Sequence, residues 1–429
     1  MGAEWNAAAA THLYRRAGFG APLEKIRWAA GAGRDAALDD LFARREHDAR
    51  LMAGIRPILA LEDIAPVQAW WMALILADTA PLVERVALMW HDHFATSDDK
   101  VGDARLMHAE IELFREKGLG DFRELLHAVA RDPAMLVWLD GNSNRRGQPN
   151  ENFAREVLEL FALGIGHYTE RDVREAARAF TGWGVDRRRF VFREQYHDPG
   201  PKEILGQRGA FGGDEALDVL LRHPASPRHV AHKLLEEFVG PDPSAERVDE
   251  WAGILVECDW NVERTLRRLF ESEMFYSGAA RRSRISGPVE LVAITMITLG
   301  AKAPPGEVAE AAGEMGQSLF RPPGVKGWDG GRSWVHAGSW LARHNHLTAL
   351  AMAHGAEAEG VQVDLAAGLG NPGAPGDVAE AARALLLPDL GDGELFEALR
   401  RVASEGVSLD ETLRRVTALA LTAPEYHLV

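Results

Sequence analysis

The chain has 429 residues, of which 46% are hydrophobic and 26% charged, and its formal net charge is −16. Such a composition excludes a disordered chain and provides enough apolar surface for a large interior. An acidic surface repels polyanions, so nucleic acid is not expected as a partner, and no particular protein partner is indicated.

The single cysteine, Cys258, excludes both a disulfide within the chain and a thiolate metal cage. The N-terminal segment lacks a basic leader followed by a long apolar run, so no secretory signal is expected. No uncharged apolar run of about 20 residues occurs, and therefore no membrane span is expected. Together these features predict a soluble protein of the cytoplasm.

Apolar residues recur at helical spacing along most of the chain. The segment 67–94, VQAWWMALILADTAPLVERVALMWHDHF, predicts two helices that are separated at Pro81. Similar patterns occupy DFRELLHAVARDPAMLVWL, RHVAHKLLEEFV and VELVAITMITLG, and Asp or Thr precedes several of the helical runs, as N-caps do. We therefore predict a mainly α fold, a globular array of many helices.

Patterns typical of strands are scarce. Residues 187–196 alternate polar and apolar side chains, which predicts at most one short β hairpin there. Residues 196–214 are rich in Gly and contain two prolines, so we expect a connection without a helix.

Composition divides the chain into three parts. Residues 354–376 are rich in Gly, Ala and Pro, which is typical of linkers and mobile loops. They separate a predicted helical main domain, residues 1–353, from residues 377–429. We expect the latter to form a C-terminal helical hairpin that packs on the main domain.

Residues 141–183 are unusually polar for a segment between apolar helices. Asn152, Glu156 and Glu159 fall on one stripe of a helix, at spacings of four and three. Carboxylates beside a core are unfavourable unless they are paired or coordinate a metal. The alternative is a surface ladder in which Arg155 pairs with the glutamates four residues away on either side.

Three histidines are candidates for metal ligands or acid–base groups. His91 and His93 follow the apolar run VALMW, and we expect them where a helix ends against the core. His197 precedes Asp198 in HDPGPK. The alternative for His91 and His93 is that they cap backbone carbonyls at the helix end. The alternative for His197 and Asp198 is that they begin a turn, since Asp-Pro-Gly favours turns.

Together these side chains predict a metal site with nitrogen and oxygen ligands, which suits Fe, Mn or Zn. Helical proteins build such centres from inward-facing carboxylates and histidines. The chain has neither Glu-x-x-His on these helices nor His-Glu-x-x-His, so the usual templates are not met. The predicted metal ligands are His91, His93, Glu156, Glu159 and His197. The predicted catalytic groups are His91, His93, Glu156 and His197.

The block RPPGVKGWDGGRSW, residues 321–334, combines stiff prolines, permissive glycines and two tryptophans. It predicts a loop that lines a pocket, with Lys326 and Trp328 in contact with substrate. The alternative is an irregular loop that its tryptophans hold against the core.

Several other polar residues are expected either in the pocket or on the surface. Asn150, Asn152 and Arg155 are predicted to orient substrate. His229, His232 and Glu236 share one helix face at spacings that could bind a metal, but we expect this face to be solvated.

Several blocks, in chain order, carry a family resemblance. They are HLYRRAGFG (12–20), MWHDHFATSDDKVG (89–102), GLGDFRELLHAVARDPAMLVWLDGNSN (118–144), PNENFAREVLELFALGIGHYTERDVREAARAFTGW (149–183), HDPGPKEILGQ (197–207), ISGPVELV (285–292) and MGQSLFRPPGVKGWDGGRSW (315–334). In these blocks the chain resembles the bacterial family catalogued as domain of unknown function 1800. The resemblance implies a mostly helical bacterial protein and does not imply an activity.

Three hypotheses about function follow. The first is an enzyme with a central polar pocket of histidines and carboxylates, metal-dependent and either redox or hydrolytic. The alternative is a non-catalytic binding or assembly protein whose buried polar network fixes helix packing. The third is an anion- or peptide-binding module around Arg15, Arg16, Lys326 and Arg332.

Overall fold

Helices form most of the chain in the computed structural model, which describes residues 4–44, 49–60, 62–353, 360–406 and 408–429. The mainly α fold is confirmed. The first helices are α1 (Ala7–Ala17), α2 (Leu23–Ala32), α3 (Arg34–Phe42), α4 (Ala49–Ala53), α5 (Ile55–Leu59), α6 (Ile64–Leu76) and α7 (Pro81–His93). The next are α8 (Asp98–Val101), α9 (Ala104–Lys117), α10 (Phe122–Ala130), α11 (Pro133–Trp138), α12 (Glu151–Glu156), which continues as a π-helix (Val157–Ala162), and α13 (Glu170–Ala179).

The second half of the chain is also helical. It contains α14 (Gly213–Leu221), α15 (Ala225–Phe238), α16 (Ala245–Glu257), α17 (Val262–Glu271), α18 (Pro288–Leu299), α19 (Pro305–Glu314), α20 (Ala337–Met352), α21 (Leu365–Gly368), α22 (Pro375–Leu386), α23 (Glu394–Glu405) and α24 (Leu409–Thr422). Short 3-10 turns lie at Gly141–Ser143, Glu194–Tyr196, Gly331–Trp334 and Pro424–His427. Within the described ranges, every helix is too short or too polar to cross a membrane.

The predicted break at Pro81 is confirmed, and it positions the site described below. α6 begins after Asp63, whose side chain accepts a hydrogen bond from Ala65 N (3.1 Å). α7 starts with Pro81 at its first position, where a missing N–H has no consequence. Its last turn carries His91 and His93 into the interior, where both are buried.

Two antiparallel hairpins interrupt the helices. β1 (Trp183–Asp186) pairs with β2 (Arg189–Phe192), so the predicted hairpin exists and begins four residues earlier than expected. β3 (Lys202–Ile204) and β4 (Gln207–Gly209) form a second hairpin inside the segment that was predicted to be a connection. Strands of three residues are too short to produce a recognisable alternation in sequence.

The C-terminal region has three helices, α22, α23 and α24, where the sequence predicted a hairpin of two. The predicted linker lies partly outside the described residues, namely at 354–359. Its described part contains α21 and a bridge between Lys302 and Gln362. The end of the chain is joined to the main body because Val429 N donates to Arg284 O (2.8 Å). The division into domains remains a prediction.

A network of buried ion pairs crosses the apolar core. Arg85 of α7 lies 2.6 Å from Glu290 of α18 and also contacts Glu237 of α15. Arg284 donates to the same Glu290 at 2.8 Å. Burial raises the pKa of Glu290, but Arg284 and Arg85 outweigh it and lower that pKa to about 2. The network therefore joins three helices through charges that depend on one another.

A second buried polar group is a pair of carboxyls that has no cationic partner among the described residues. Glu110 of α9 is fully buried and accepts a hydrogen bond from Thr96 Oγ1 (2.7 Å). Asp132 caps α11 by accepting from Ala134 N (2.6 Å) and Met135 N (3.1 Å). Burial raises the pKa of Asp132 to about 7, and burial and the charge of Asp132 raise the pKa of Glu110 well above its usual value. One proton is therefore expected to remain on the pair near neutrality.

This pair predicts a pH dependence of stability. A carboxyl whose pKa is raised on folding contributes stability that is complete below its unfolded value and is lost as pH rises through the folded value. The free energy of unfolding should therefore fall as pH rises from about 4, near the ordinary pKa of these carboxyls, through about 7, the pKa of the buried Asp132. In Glu110→Gln the fall should be smaller by on the order of 1–2 kcal/mol, because one carboxyl no longer has to ionise. Urea denaturation at a series of pH values measures this, and parallel curves for the two proteins would contradict it.

Candidate functional site

A cavity of about 1130 Å³ opens where α7 ends. The last turn of α7, the π-helix, α15 and the loop that follows Gly324 contribute to its wall. The side chains that matter for chemistry are Asp92, His93, Glu159, His229, Lys326 and Trp328. The volume is that of a pocket for a small molecule, and its wall mixes polar and apolar groups.

The π-helix holds two histidines on the cavity wall. In a π-helix the backbone hydrogen bonds run from i to i+5, as the bond from Leu163 N to Leu158 O (3.1 Å) does. His229 Nε2 lies 2.7 Å from Leu160 O, and His93 Nε2 lies 3.3 Å from Phe161 O. The two imidazole centroids are 5.6 Å apart. The consecutive carbonyls of Leu160 and Phe161 thus orient the neighbouring imidazoles of His229 and His93.

These contacts define the protonation of both rings. Burial lowers the pKa of His229 to about 4 and holds the pKa of His93 well below its usual value, so both are neutral at pH 7. A carbonyl oxygen only accepts, so each Nε2 carries the proton and each Nδ1 is a bare acceptor. Gly164 preserves access to His229, since a Cβ there would lie 3.2 Å from Nδ1.

Asp92 is the carboxyl between the two histidines of WHDHF, and it also lines the cavity. Its Oδ1 accepts a hydrogen bond from Trp328 N (2.7 Å). Gly327 permits this approach, because a Cβ there would lie 2.3 Å from both Asp92 O and Oδ1. Burial raises the pKa of Asp92 to about 7, although the Trp328 N–H and Lys233 oppose the rise. At neutral pH the protonated and the ionised forms of this carboxyl are therefore both populated.

Some of the other charged groups on the wall have partners. Lys233 lies 3.2 Å from Glu236. Glu159 accepts a hydrogen bond from the Tyr168 hydroxyl. Lys326 is exposed and forms no ion pair within the described residues. The wall thus presents ionised groups around a set of neutral imidazoles and a carboxyl that titrates near pH 7.

Four of the predicted site residues line this cavity: His93, Glu159, Lys326 and Trp328. His91 does not. It is fully buried, its Nε2 accepts from Phe320 N (3.0 Å), and burial lowers its pKa to about 3. Its ring contacts that of Trp328 at 5.5 Å between centroids, so it supports the wall from behind.

The remaining predicted residues hold neighbouring segments together. Asn150 caps α12 by accepting from Asn152 N (3.0 Å). Arg155 pairs with Glu151 of its own helix (3.2 Å) and with Glu170 of α13 (2.8 Å), so only one half of the predicted surface ladder forms, and Glu159 instead accepts a hydrogen bond from Tyr168. Glu156 is half-buried beside Glu159 and does not line the cavity.

His197 lies beside the first hairpin, away from the cavity wall. Its Nδ1 is 2.9 Å from Thr181 O, and its ring packs on Phe192. The structure therefore does not bring the five predicted metal ligands together. Across the part of the chain that the structure describes, no group of three or more His, Cys, Asp or Glu side chains is arranged to hold a metal ion. A bound transition metal remains a prediction.

The anion module predicted around Arg15, Arg16, Lys326 and Arg332 is not assembled. Arg15 donates to Leu386 O (3.0 Å). Arg16 donates to Ala280 O (2.8 Å). Both guanidiniums are buried and donate hydrogen bonds to backbone carbonyls. Lys326 and Arg332 instead line the cavity, so the four cations do not meet.

Sequence reasoning missed Asp92 and misplaced His229. The expectation of a solvated face on α15 is wrong for His229, which is largely buried against the π-helix. The spacing of His229, His232 and Glu236 was a signal that could have identified it. Asp92 carried no separate signal, because an aspartate beside a helix end is more often a cap or a solvated group.

Comparison with known proteins gives a family and no relative of known activity. No curated protein and no solved structure matches the chain significantly. The model of the family described as "Protein of unknown function (DUF1800)" matches residues 12–428. Because that match covers nearly the whole chain, the protein belongs to the DUF1800 family.

Proposed function

We propose that the protein is an enzyme that binds a small polar molecule in the cavity and transfers protons through Asp92, His93 and His229. The observation that carries this proposal is Asp92, a carboxyl on the wall of a large cavity whose surroundings raise its pKa to about 7. Such a group suits general acid–base catalysis at neutral pH, where it needs both protonation states.

The two imidazoles complement this carboxyl. Each presents a bare Nδ1, which accepts a hydrogen bond or takes a proton from a substrate or a water. Of the two reaction classes predicted from sequence, hydrolysis uses an acid and a base of this kind directly. We therefore favour hydrolysis of a polar bond, with Asp92 as the acid and a histidine Nδ1 as the base.

A metal-dependent version of the same site takes second place. A metal of the Fe, Mn or Zn type would bind the Nδ1 atoms of His93 and His229, because histidine ligands commonly donate their other N–H to a backbone carbonyl. Two nitrogens are fewer than the three protein ligands typical of catalytic zinc. For this reason we place proton transfer by the side chains first.

Activity profiling tests the proposal. Untagged protein would be assayed against chromogenic carboxylic esters, phosphate esters, glycosides and peptide anilides, each with and without added Zn²⁺, Mn²⁺ or Fe²⁺. We expect His93→Gln and His229→Gln to reduce the activity found by at least about 100-fold. His197→Gln is the matched control and should retain it, because this imidazole does not line the cavity. Full activity in both cavity variants would contradict the proposal.

The alternative, a binding or assembly protein with a structural polar network, is favoured by one observation. Arg284 and Glu237 line the cavity and also belong to the ion-pair network around Glu290. Part of the polar wall therefore stabilises the fold. Within the described residues, Asp92 and the two imidazoles form their hydrogen bonds with backbone groups outside that network, although the charge of Glu237 contributes to the raised pKa of Asp92.

A further inference from the structure

A second surface combines unpaired cations with a strained turn. Arg187 and Arg188 are the two central residues of the turn between β1 and β2, and both have positive φ, at 47° and 63°. Hairpin turns of this kind favour Asn and Gly, because other side chains adopt this conformation unfavourably. Arginine at both positions is therefore not explained by the conformational preference of the turn.

Arg188 holds the hairpin in place, whereas Arg187 and Arg189 are free to contact a partner. Arg188 forms an ion pair with Asp103, the N-cap of α9. Arg187 and Arg189 are exposed and form no ion pair within the described residues. The turn is thus held against α9 while two guanidiniums project into solvent.

A neighbouring loop adds two more arginines. Asn142 Oδ1 accepts a hydrogen bond from Val185 N (2.6 Å), which places the loop after Gly141 beside β1. Arg145 and Arg146 follow on this loop, and both are exposed without an ion pair in the described chain. From the lengths of the connecting segments, they lie no more than about 30 Å from Arg187, a span that about nine residues of extended chain cover.

We propose that these four arginines form a docking surface for an acidic segment of a partner protein. The surface is defined by Arg145, Arg146, Arg187 and Arg189. It carries a local positive charge on a chain whose net charge is −16, although Asp186 and Glu194 lie beside it. Phe192, 51% exposed, adds an apolar contact at the base of the hairpin. Charge complementarity of this type selects acidic partners and speeds their association.

The observations favour a protein segment over a nucleic acid. Recognition of single strands needs free aromatic faces on which bases stack. The ring of Tyr196 is already covered by Arg145, 4.6 Å from its centroid. A long polyanion would also meet the acidic remainder of the surface, whereas a short acidic segment would not.

Fluorescence anisotropy with a labelled oligoglutamate peptide tests the proposal on the full chain. We expect saturable binding that weakens as salt increases. The variant Arg145→Gln/Arg187→Gln/Arg189→Gln should bind about tenfold more weakly, which corresponds to three exposed charge contacts. The control Arg247→Gln/Arg264→Gln/Arg401→Gln changes the net charge equally at exposed arginines elsewhere and should bind as the wild type does.

Three results would overturn the proposal. They are absence of peptide binding, equal weakening in the control variant, and tighter binding of a single-stranded oligonucleotide than of the peptide. Circular dichroism and thermal melting of both variants establish that they are folded, since all six side chains are exposed.

Discussion

Replacing Glu290 with glutamine is expected to lower the free energy of unfolding by about 3–5 kcal/mol. Glu290 is only 3% exposed and lies between Arg85 and Arg284. An amide of the same shape neutralises neither guanidinium, so two buried cations would lose most of their compensation. Urea denaturation of the two proteins at pH 7 measures the difference.

The control for this prediction is Glu257→Gln. Glu257 pairs with Arg268 at 2.8 Å, but both side chains are mainly exposed, so its loss should cost less than about 1 kcal/mol. The Glu290 effect should also depend on pH. A carboxylate whose pKa is lowered on folding contributes stability above its unfolded value, ordinarily 4.5, which is lost as pH falls toward about 2. Equal, small effects of both substitutions would contradict the network.

Asp92→Asn is expected to reduce kcat by about 100- to 10,000-fold, with a smaller change in KM. Asparagine can still accept the hydrogen bond from Trp328 N, so the loop that covers the cavity should keep its place. The variant cannot exchange a proton. The pH–rate profile of the wild type should therefore show an inflection near pH 7 that the variant lacks.

Asp99→Asn is the matched control for this substitution. Asp99 is an exposed carboxylate on α8 that contacts Arg321, and it should retain full activity. Each variant would be assayed with the substrate identified by activity profiling. If Asp92→Asn and Asp99→Asn were equally active, Asp92 would not be the acid–base group.

Local patterns in the sequence were sufficient for most of the fold. Apolar spacing and the proline at position 81 predicted α6, α7 and the break between them, because these features depend only on neighbouring residues. The second hairpin was missed, since β3 and β4 have three residues each and their turn uses Leu205 and Gly206 at positive φ. The π-helix was missed because its apolar spacing does not differ from that of an α-helix.

The site depended on contacts that sequence does not contain. His93 reaches Phe161 O across 68 residues, and His229 reaches Leu160 O across 69. The sequence suggested His93 and Glu159 as ligands of one metal site and Lys326 and Trp328 as substrate contacts, but their partners were set by how α7 and α15 pack on the π-helix. His91 and Glu156 lie in equally polar sequence surroundings, but neither lines the cavity. His91 is buried in the core, and Glu156 is half-buried on the surface of its helix.

The titration of Asp92 tests the central claim most directly. Protein with ¹³C-labelled aspartate carboxyls would be followed by NMR from pH 4 to 9, with the Asp92 signal identified by its absence in Asp92→Asn. Burial in the cavity wall predicts a midpoint at about 7. A midpoint near the ordinary value of 3.8 would show a carboxylate that stays ionised at neutral pH, and the proposed acid–base site would be wrong.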